Sequence, residues 1–228
     1  MNGTFYWHNP PAPPDPPASG CLHLWLITLT CEAESFLAVL SSDEKDRAGR
    51  IQHHASRNRF CIARGAVRMI LGDYLDMDPQ DIRFRYGHVG KPEIAYPETD
   101  VRFNLSHSDD LALLGLASDQ DIGIDLEPVR ERKNLLGIAK RIFDEPTFKD
   151  LSALPNKILV HEFKCHWTVL EARAKAKGIS LFNKADAGDT DCINFEPIPG
   201  WVAAIAATAT LPDIGQWGCY RFKPRGIK

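Results

Sequence analysis

Two acidic side chains lie two residues apart in Ile122-Gly123-Ile124-Asp125-Leu126-Glu127. Alternate residues of an extended chain face the same way, so Asp125 and Glu127 share one face while Ile122, Ile124 and Leu126 turn into a core. Neighbouring carboxylates repel unless a cation or a proton lies between them, and hard oxygen ligands of this kind suit Mg²⁺. Mn²⁺ shares that preference for oxygen. The alternative is a solvated acidic strand face.

A second group lies on a helical stretch, Phe163-Lys164-Cys165-His166-Trp167-Thr168-Val169-Leu170-Glu171-Ala172-Arg173-Ala174-Lys175. Its spacing places Leu159, Phe163, His166, Leu170 and Ala174 on one stripe, with Lys164, Trp167, Thr168, Glu171 and Lys175 beside it. Glu171 and Lys175, one turn apart, make either a surface ion pair or a third metal carboxylate followed by a phosphate contact. His161 and His166 are five residues apart, which puts them about 140° apart around the helix and rules out the zinc-protease pattern. Zinc held by His161 and Cys165 is a further alternative, with core or surface roles the plainer one. Phe103-Asn104-Leu105-Ser106-His107-Ser108 places His107 in a polar turn between strands. A catalytic set of Ser106, His107 and Asp109 lacks the GxSxG elbow, and sequence neighbours rarely reach triad geometry. A histidine facing a phosphate agrees better with the basic residues upstream; a capping or turn histidine is the alternative.

The elements that must position these groups follow from pattern. Cys21–Thr30 reads as a buried strand, and Ser41-Ser42-Asp43-Glu44 as a helix start. A helical pattern runs from there to Leu75, with Phe60, Ala63, Val67, Ile70 and Leu71 on its apolar side. Its other positions are basic: Lys45, Arg47, Arg50, Arg57, Arg59, Arg64 and Arg68. Strands are expected at Ile82–Tyr86, Val101–Asn104, Ala112–Ala117, Asp121–Glu127, Ile193–Phe195 and Val202–Ala209, and helices at Asn134–Ile142 and Pro155–Lys177, the latter stopped by Gly178. Strand, helices and strands occur in both halves with a seam near Ala117–Asp121, so the expected class is α+β, two similar lobes without a sequence repeat. The expected division is a proline-rich disordered tail at 1–20, lobes at 21–118 and 119–212, and a C-terminal extension at 213–228. Six of the sixteen prolines fall in that tail.

Composition narrows the class. The 228 residues carry 27 basic and 30 acidic side chains and are 44% hydrophobic, which excludes a disordered or fibrous chain. The apolar run near Trp201–Leu211 is too short for a membrane helix, which needs ~20 residues. A net charge of −3 argues against a nucleic-acid coat. The six cysteines form no CxxC pair and no signal peptide is legible, so a reduced, cytoplasmic protein is expected.

The order of motifs is more specific than any one of them. Gly90-Lys91-Pro92, then Phe103-Asn104-Leu105-Ser106-His107-Ser108, then Gly123-Ile124-Asp125-Leu126-Glu127, then Trp167, Glu171, Lys175, Gly178 and Leu181 resembles the 4′-phosphopantetheinyl transferases of the monomeric surfactin type, over roughly residues 21–210. The resemblance implies a pseudo-two-fold fold whose lobes are small antiparallel sheets with packed helices, and an active site in the cleft. It implies transfer of the phosphopantetheine arm of coenzyme A to a serine of an acyl or peptidyl carrier protein, releasing 3′,5′-ADP. Asp125, Glu127 and Glu171 would hold Mg²⁺, and His107, with Ser106 beside it, would face the 3′-phosphate. Lys175 would meet a pyrophosphate oxygen and Glu171 would take the serine proton, a bound water being the alternative. Arg47 and Arg59 align with basic residues at the 3′-phosphate, and Gly90, Lys91 and Pro92 would line the adenine pocket.

One departure stands out: the family's WxxKEA carries a lysine where this chain has Leu170. That substitution motivates one competing reading, a degenerate paralogue that binds coenzyme A or carrier protein with little turnover; another is an unrelated Mg²⁺-dependent phosphohydrolase using the same carboxylates with water as nucleophile.

Overall fold

Leu22–Thr28 (β1) is more apolar than a strand with one wet face needs to be. Both of its faces are covered. In the computed structural model, which describes residues 5–9, 14–181 and 190–224, Trp25 and Ile27 pack toward helix α3 (His54–Leu75), while Leu22, Leu24 and Leu26 pack toward a second sheet. Leu111–Ser118 (β5) divides in the same way, with Ala112, Leu114 and Leu116 on the helix side and Leu111, Leu113 and Ala117 on the sheet side. Strands buried on both faces read as continuous hydrophobic runs, which is why these two stand out in the sequence.

The first sheet has the order β4 (Val101–Ser108), β5, β1, β9 (Gly218–Arg221). Its first three strands are antiparallel, and β9 adds to β1 in parallel, so the C-terminal extension returns to the first lobe. A separate hairpin pairs β2 (Arg83–Tyr86) with β3 (Pro92–Tyr96). The second sheet is antiparallel, with the order β6 (Ile122–Pro128), β8 (Trp201–Ala207), β7 (Asp191–Phe195). The remaining helices are α1 (Glu34–Leu37), α2 (Ser42–Arg50), α4 (Leu135–Ile142), α5 (Glu145–Ser152) and α6 (Asn156–Lys177). The fold is therefore α+β with small, mainly antiparallel sheets and six helices among the described residues.

Several elements differ from their sequence reading, each for a physical reason. The pattern from Ser41 to Leu75 is two helices, because Ile51 leaves α2 in an extended conformation. Ser41 N–H donates to Glu44 Oε2 at 3.1 Å, closing the start of α2. Arg64 and Arg68, counted among the basic positions of this stretch, are buried and pair with the buried Glu44. Both guanidiniums also lie over the Phe84 ring and so fasten the β2–β3 hairpin to α3. β4 runs through Ser108, so His107 stands on a strand; the turn is Asp109-Asp110, with Asp109 left-handed at φ 46°. β3, α5 and β9 were not foreseen, being short or, for α5, opened by an Asp144 cap that accepts from Thr147 N–H. The described part of the tail read as loose is held by aromatic contacts: Phe5 packs on Phe195 and Trp217, and Trp7 Nε1–H donates to Pro197 O at 2.8 Å. Pro10, Pro11 and Pro13 lie outside the described residues. The six cysteines are free thiols, and among the described residues no helix is long and apolar enough to cross a membrane.

Helix α6 presses onto the second sheet along Ala172 and Ala176, which meet Ala204 and Ala206 of β8. The face it buries therefore includes Thr168, Lys164 and these alanines, whereas His166, expected on the apolar stripe, is exposed. Gly123 permits the approach: a Cβ there would fall 2.1 Å from Ala172 O and 2.2 Å from Ala176 N, both helix backbone atoms that cannot rotate away. Gly123→Ala should thus lift α6 from β6 and cost at least about 3 kcal/mol, more than ordinary overpacking. Urea unfolding measures it; a loss below about 1 kcal/mol would show that the helix has room to shift.

Candidate active site between the lobes

β6 is an edge strand of its sheet, and its outward backbone groups face the first lobe. Among the described residues no strand pairs with that edge. Side chains satisfy it instead: Asn104 Oδ1 accepts from Ile124 N–H at 2.8 Å and Ser106 Oγ accepts from Leu126 N–H at 3.2 Å. Lys91 Nζ donates to Ile122 O at 3.0 Å, and Lys175 Nζ to Ile124 O at 3.1 Å. Three polar residues of β4 and the hairpin turn, Asn104, Ser106 and Lys91, thus stitch the lobes at the strand that carries the acidic pair. Lys175, on α6 in the same lobe as β6, meets Ser106 across the seam at 3.3 Å. Asn104 was not singled out from sequence; the signal was a polar residue on a strand otherwise destined for burial.

The carboxylates stand in the middle of this stitching. Asp125, 3% exposed, accepts through Oδ1 from Ser106 Oγ–H at 2.9 Å and from Lys175 at 2.7 Å, while its Oδ2 is buried with no partner. Lys164, one turn before Thr168 on α6, reaches Glu127 Oε2 at 2.6 Å. Glu171 is the least compensated of the three, with Lys175 at 3.5 Å. Burial raises its pKa and the charge of Asp125 adds to that, with Lys175 opposing and Glu127 reinforcing. The strand–helix contact made possible by Gly123 thus brings Asp125, Glu127, Glu171 and Lys175 into one constellation, with Ser106 beneath and Lys164 added.

His107 flanks this group from β4. Its ring reaches solvent, yet the protein crowds it, and that desolvation lowers its pKa, assisted by the charges of Lys175 and Arg47. Arg47 is exposed and stacks over Phe60 at 5.3 Å. Arg59 is drawn instead to Asp110, at 2.7 Å, on the turn after His107. Gly90, at φ 79°, shapes the hairpin turn, and Pro92 opens β3 beside it. The Lys91 ammonium is turned inward to the seam, where Ala176 O at 3.4 Å and Asp121 at 3.5 Å also receive it; burial depresses its pKa and Asp121 opposes that. Leu170 is half-buried and places no cation near the carboxylates.

The donor set suits a hard divalent cation. Three carboxylates face two ammoniums, and Asp125 Oδ2 has a buried lone pair without a donor. As they stand, no three His, Cys, Asp or Glu side chains among the described residues converge closely enough to hold a metal; Lys164 and Lys175 lie against carboxylate oxygens that a cation would use. The seam itself is testable. Asn104→Ala strands the Ile124 N–H in a buried position and should cost about 1–3 kcal/mol in chemical denaturation, while Asn104→Asp, which keeps an acceptor there, should recover part of it. Equal losses for both variants would remove the seam from the account.

No family model matches the chain. A 4′-phosphopantetheinyl transferase of Nostoc sp., HetI, is 40% identical over 162 residues, covering 69% of this chain and 68% of its own length. The 4′-phosphopantetheinyl transferase Sfp of Bacillus subtilis is 31% identical and covers 66% of each chain. AcpT of Escherichia coli O157:H7, a third protein of that name, is 36% identical over 55% of this chain and 62% of its own. The chain thus spans about two thirds of the length of these relatives. Taken with the α+β fold and the strand–helix site, this likeness shows that the chain belongs to the 4′-phosphopantetheinyl transferases, a family of enzymes.

Proposed function

We propose that the chain transfers the phosphopantetheine arm of coenzyme A to a serine of a carrier protein, leaving 3′,5′-ADP, with Mg²⁺ or Mn²⁺ at Asp125, Glu127 and Glu171. The single observation that carries this reading is the constellation itself: three carboxylates and Lys175 from β6 and α6, with His107 and Arg47 of the first lobe beside them. Residues 21–118 serve as the nucleotide lobe and 119–212 as the carboxylate lobe. The metal, when bound, would offset charge on the pyrophosphate oxygens.

The chain's own residues supply the rest. His107 and Arg47 face the 3′-phosphate of coenzyme A, with Arg59 and Ser106 near the same strand end, while Gly90, Lys91 and Pro92 border the adenine. Ser106 and Lys175 hold Asp125 in one orientation. Lys175, 30% exposed, turns from Asp125 to a pyrophosphate oxygen and offsets charge that builds on the leaving phosphate. Glu171 accepts the serine Oγ proton as that oxygen bonds to phosphorus and the phosphoanhydride bond breaks, because it is the carboxylate with the weakest counter-charge. The protein works as a monomer in the cytoplasm, a reducing setting with which six free thiols agree.

Incubating the chain with an apo carrier protein, coenzyme A and Mg²⁺ should add the mass of one phosphopantetheine arm to the carrier. Glu171→Gln should reduce the rate about 100-fold or more without loss of fold. An unchanged carrier mass, or Glu171→Gln matching wild type, would contradict the reading. His107 gives a pH test. Its pKa in the free protein is below the ordinary value, and a bound phosphate favours the protonated ring and raises it. That contribution to coenzyme A affinity is full below the free pKa and disappears as pH rises through the bound one. Calorimetric titration from below the ordinary histidine pKa upward should show affinity that weakens with pH in wild type and a flatter, weaker response in His107→Ala; parallel curves would exclude His107 from the phosphate.

A further inference from the structure

We propose that Lys164 sets how tightly the carboxylate site takes a divalent cation, by holding Glu127 until the ion displaces it. The inference rests on the metal-site reading above. Lys164, Thr168, Glu171 and Lys175 follow one another at helical spacing along the face of α6 that meets β6, so two ammoniums bracket Glu171. Each is paired with one carboxylate of the strand, Lys164 with Glu127 at 2.6 Å and Lys175 with Asp125 at 2.7 Å.

The two lysines differ in what they can do next. Lys175 is 30% exposed and borders Ser106 and Glu171 as well as Asp125, so a substrate phosphate at the cleft offers it another anion. Lys164 is only 7% exposed, and its stem is enclosed between the helix and the sheet. Its charge therefore stays beside Glu127 whatever occupies the cleft. A divalent ion arriving at Glu127 finds Oε2 already paired with this ammonium and must remain near a like charge, and both effects oppose binding. Leu170, the neutral residue just before Glu171, contributes no charge of its own, so the positive charge that α6 brings against the carboxylates comes from positions 164 and 175.

Removing the ammonium while keeping its length should expose the competition. Manganese binding to the full chain, without coenzyme A, can be read from the electron paramagnetic resonance signal of the free ion. Lys164→Met should bind Mn²⁺ about 10-fold more tightly than wild type or better, and Lys164→Arg, which keeps the charge, should resemble wild type. Lys164→Gln gives a second neutral variant that retains a hydrogen bond to Glu127 if the Met variant does not fold. The rise in melting temperature on adding Mn²⁺ should be larger in the neutral variants, which a purely structural lysine would not produce. Wild type binding Mn²⁺ as tightly as both neutral variants would overturn the role of Lys164 alone. No Mn²⁺ binding by any of the proteins would overturn the metal site and this inference together.

Discussion

The open edge of β6 is the constraint on which the rest depends. Its outward N–H and C=O groups at Ile122, Ile124 and Leu126 lie between two sheets, out of reach of a partner strand, and each would cost about 1–3 kcal/mol if buried unpaired. Asn104, Ser106, Lys91 and Lys175 answer them one by one. The consequence is that the lobes are joined by polar side chains at the very strand where Asp125 and Glu127 project. Joining the lobes and assembling the site are one act: Ser106 and Lys175 each satisfy β6 backbone and orient Asp125 with the same polar atom.

A second contact fixes the opposite side of the strand. Gly123 lets the backbone of α6 lie against β6, so that Glu171 and Lys175 come level with Asp125 rather than a side chain's width away. Alanines at 172, 176, 204 and 206 continue the same close packing away from the charges. Small residues under the helix and polar ones along the edge therefore serve a single end, a cluster of carboxylates and ammoniums held in a low-dielectric seam with one face open to the cleft. There Coulomb forces exceed those at a free surface, which makes the placement of Lys164 and Lys175 consequential.

Much of this was legible in the sequence, and the reasons for what was not are specific. The strand pair Asp125 and Glu127, the helix carrying Glu171 and Lys175, and the stop at Gly178 follow from periods of two and of three to four. β1 and β5 were legible because burial on two faces leaves a continuous apolar run. The joining residues were not, because an edge needing side-chain partners is a tertiary fact: Asn104 is only a polar residue at the end of an expected strand until Ile124 N–H is placed beside it. The burial of Arg64 and Arg68 was not legible because their partner Glu44 sits twenty or more residues upstream, on a helix the pattern had merged with theirs. β9 was hidden by its length of four residues and by pairing across nearly the whole chain.

Net charge was a poor guide to this molecule, since −3 overall conceals a local cluster in which Lys164 and Lys175 lie against Asp125, Glu127 and Glu171. The most direct measurement of the account is a crystal structure with coenzyme A and Mn²⁺, located by its anomalous scattering. The account requires one ion in contact with Asp125, Glu127 and Glu171 and with the pyrophosphate, while Asn104 and Ser106 keep their bonds to β6. An ion held elsewhere, or coenzyme A seated away from the seam of β4, β6 and α6, would contradict it.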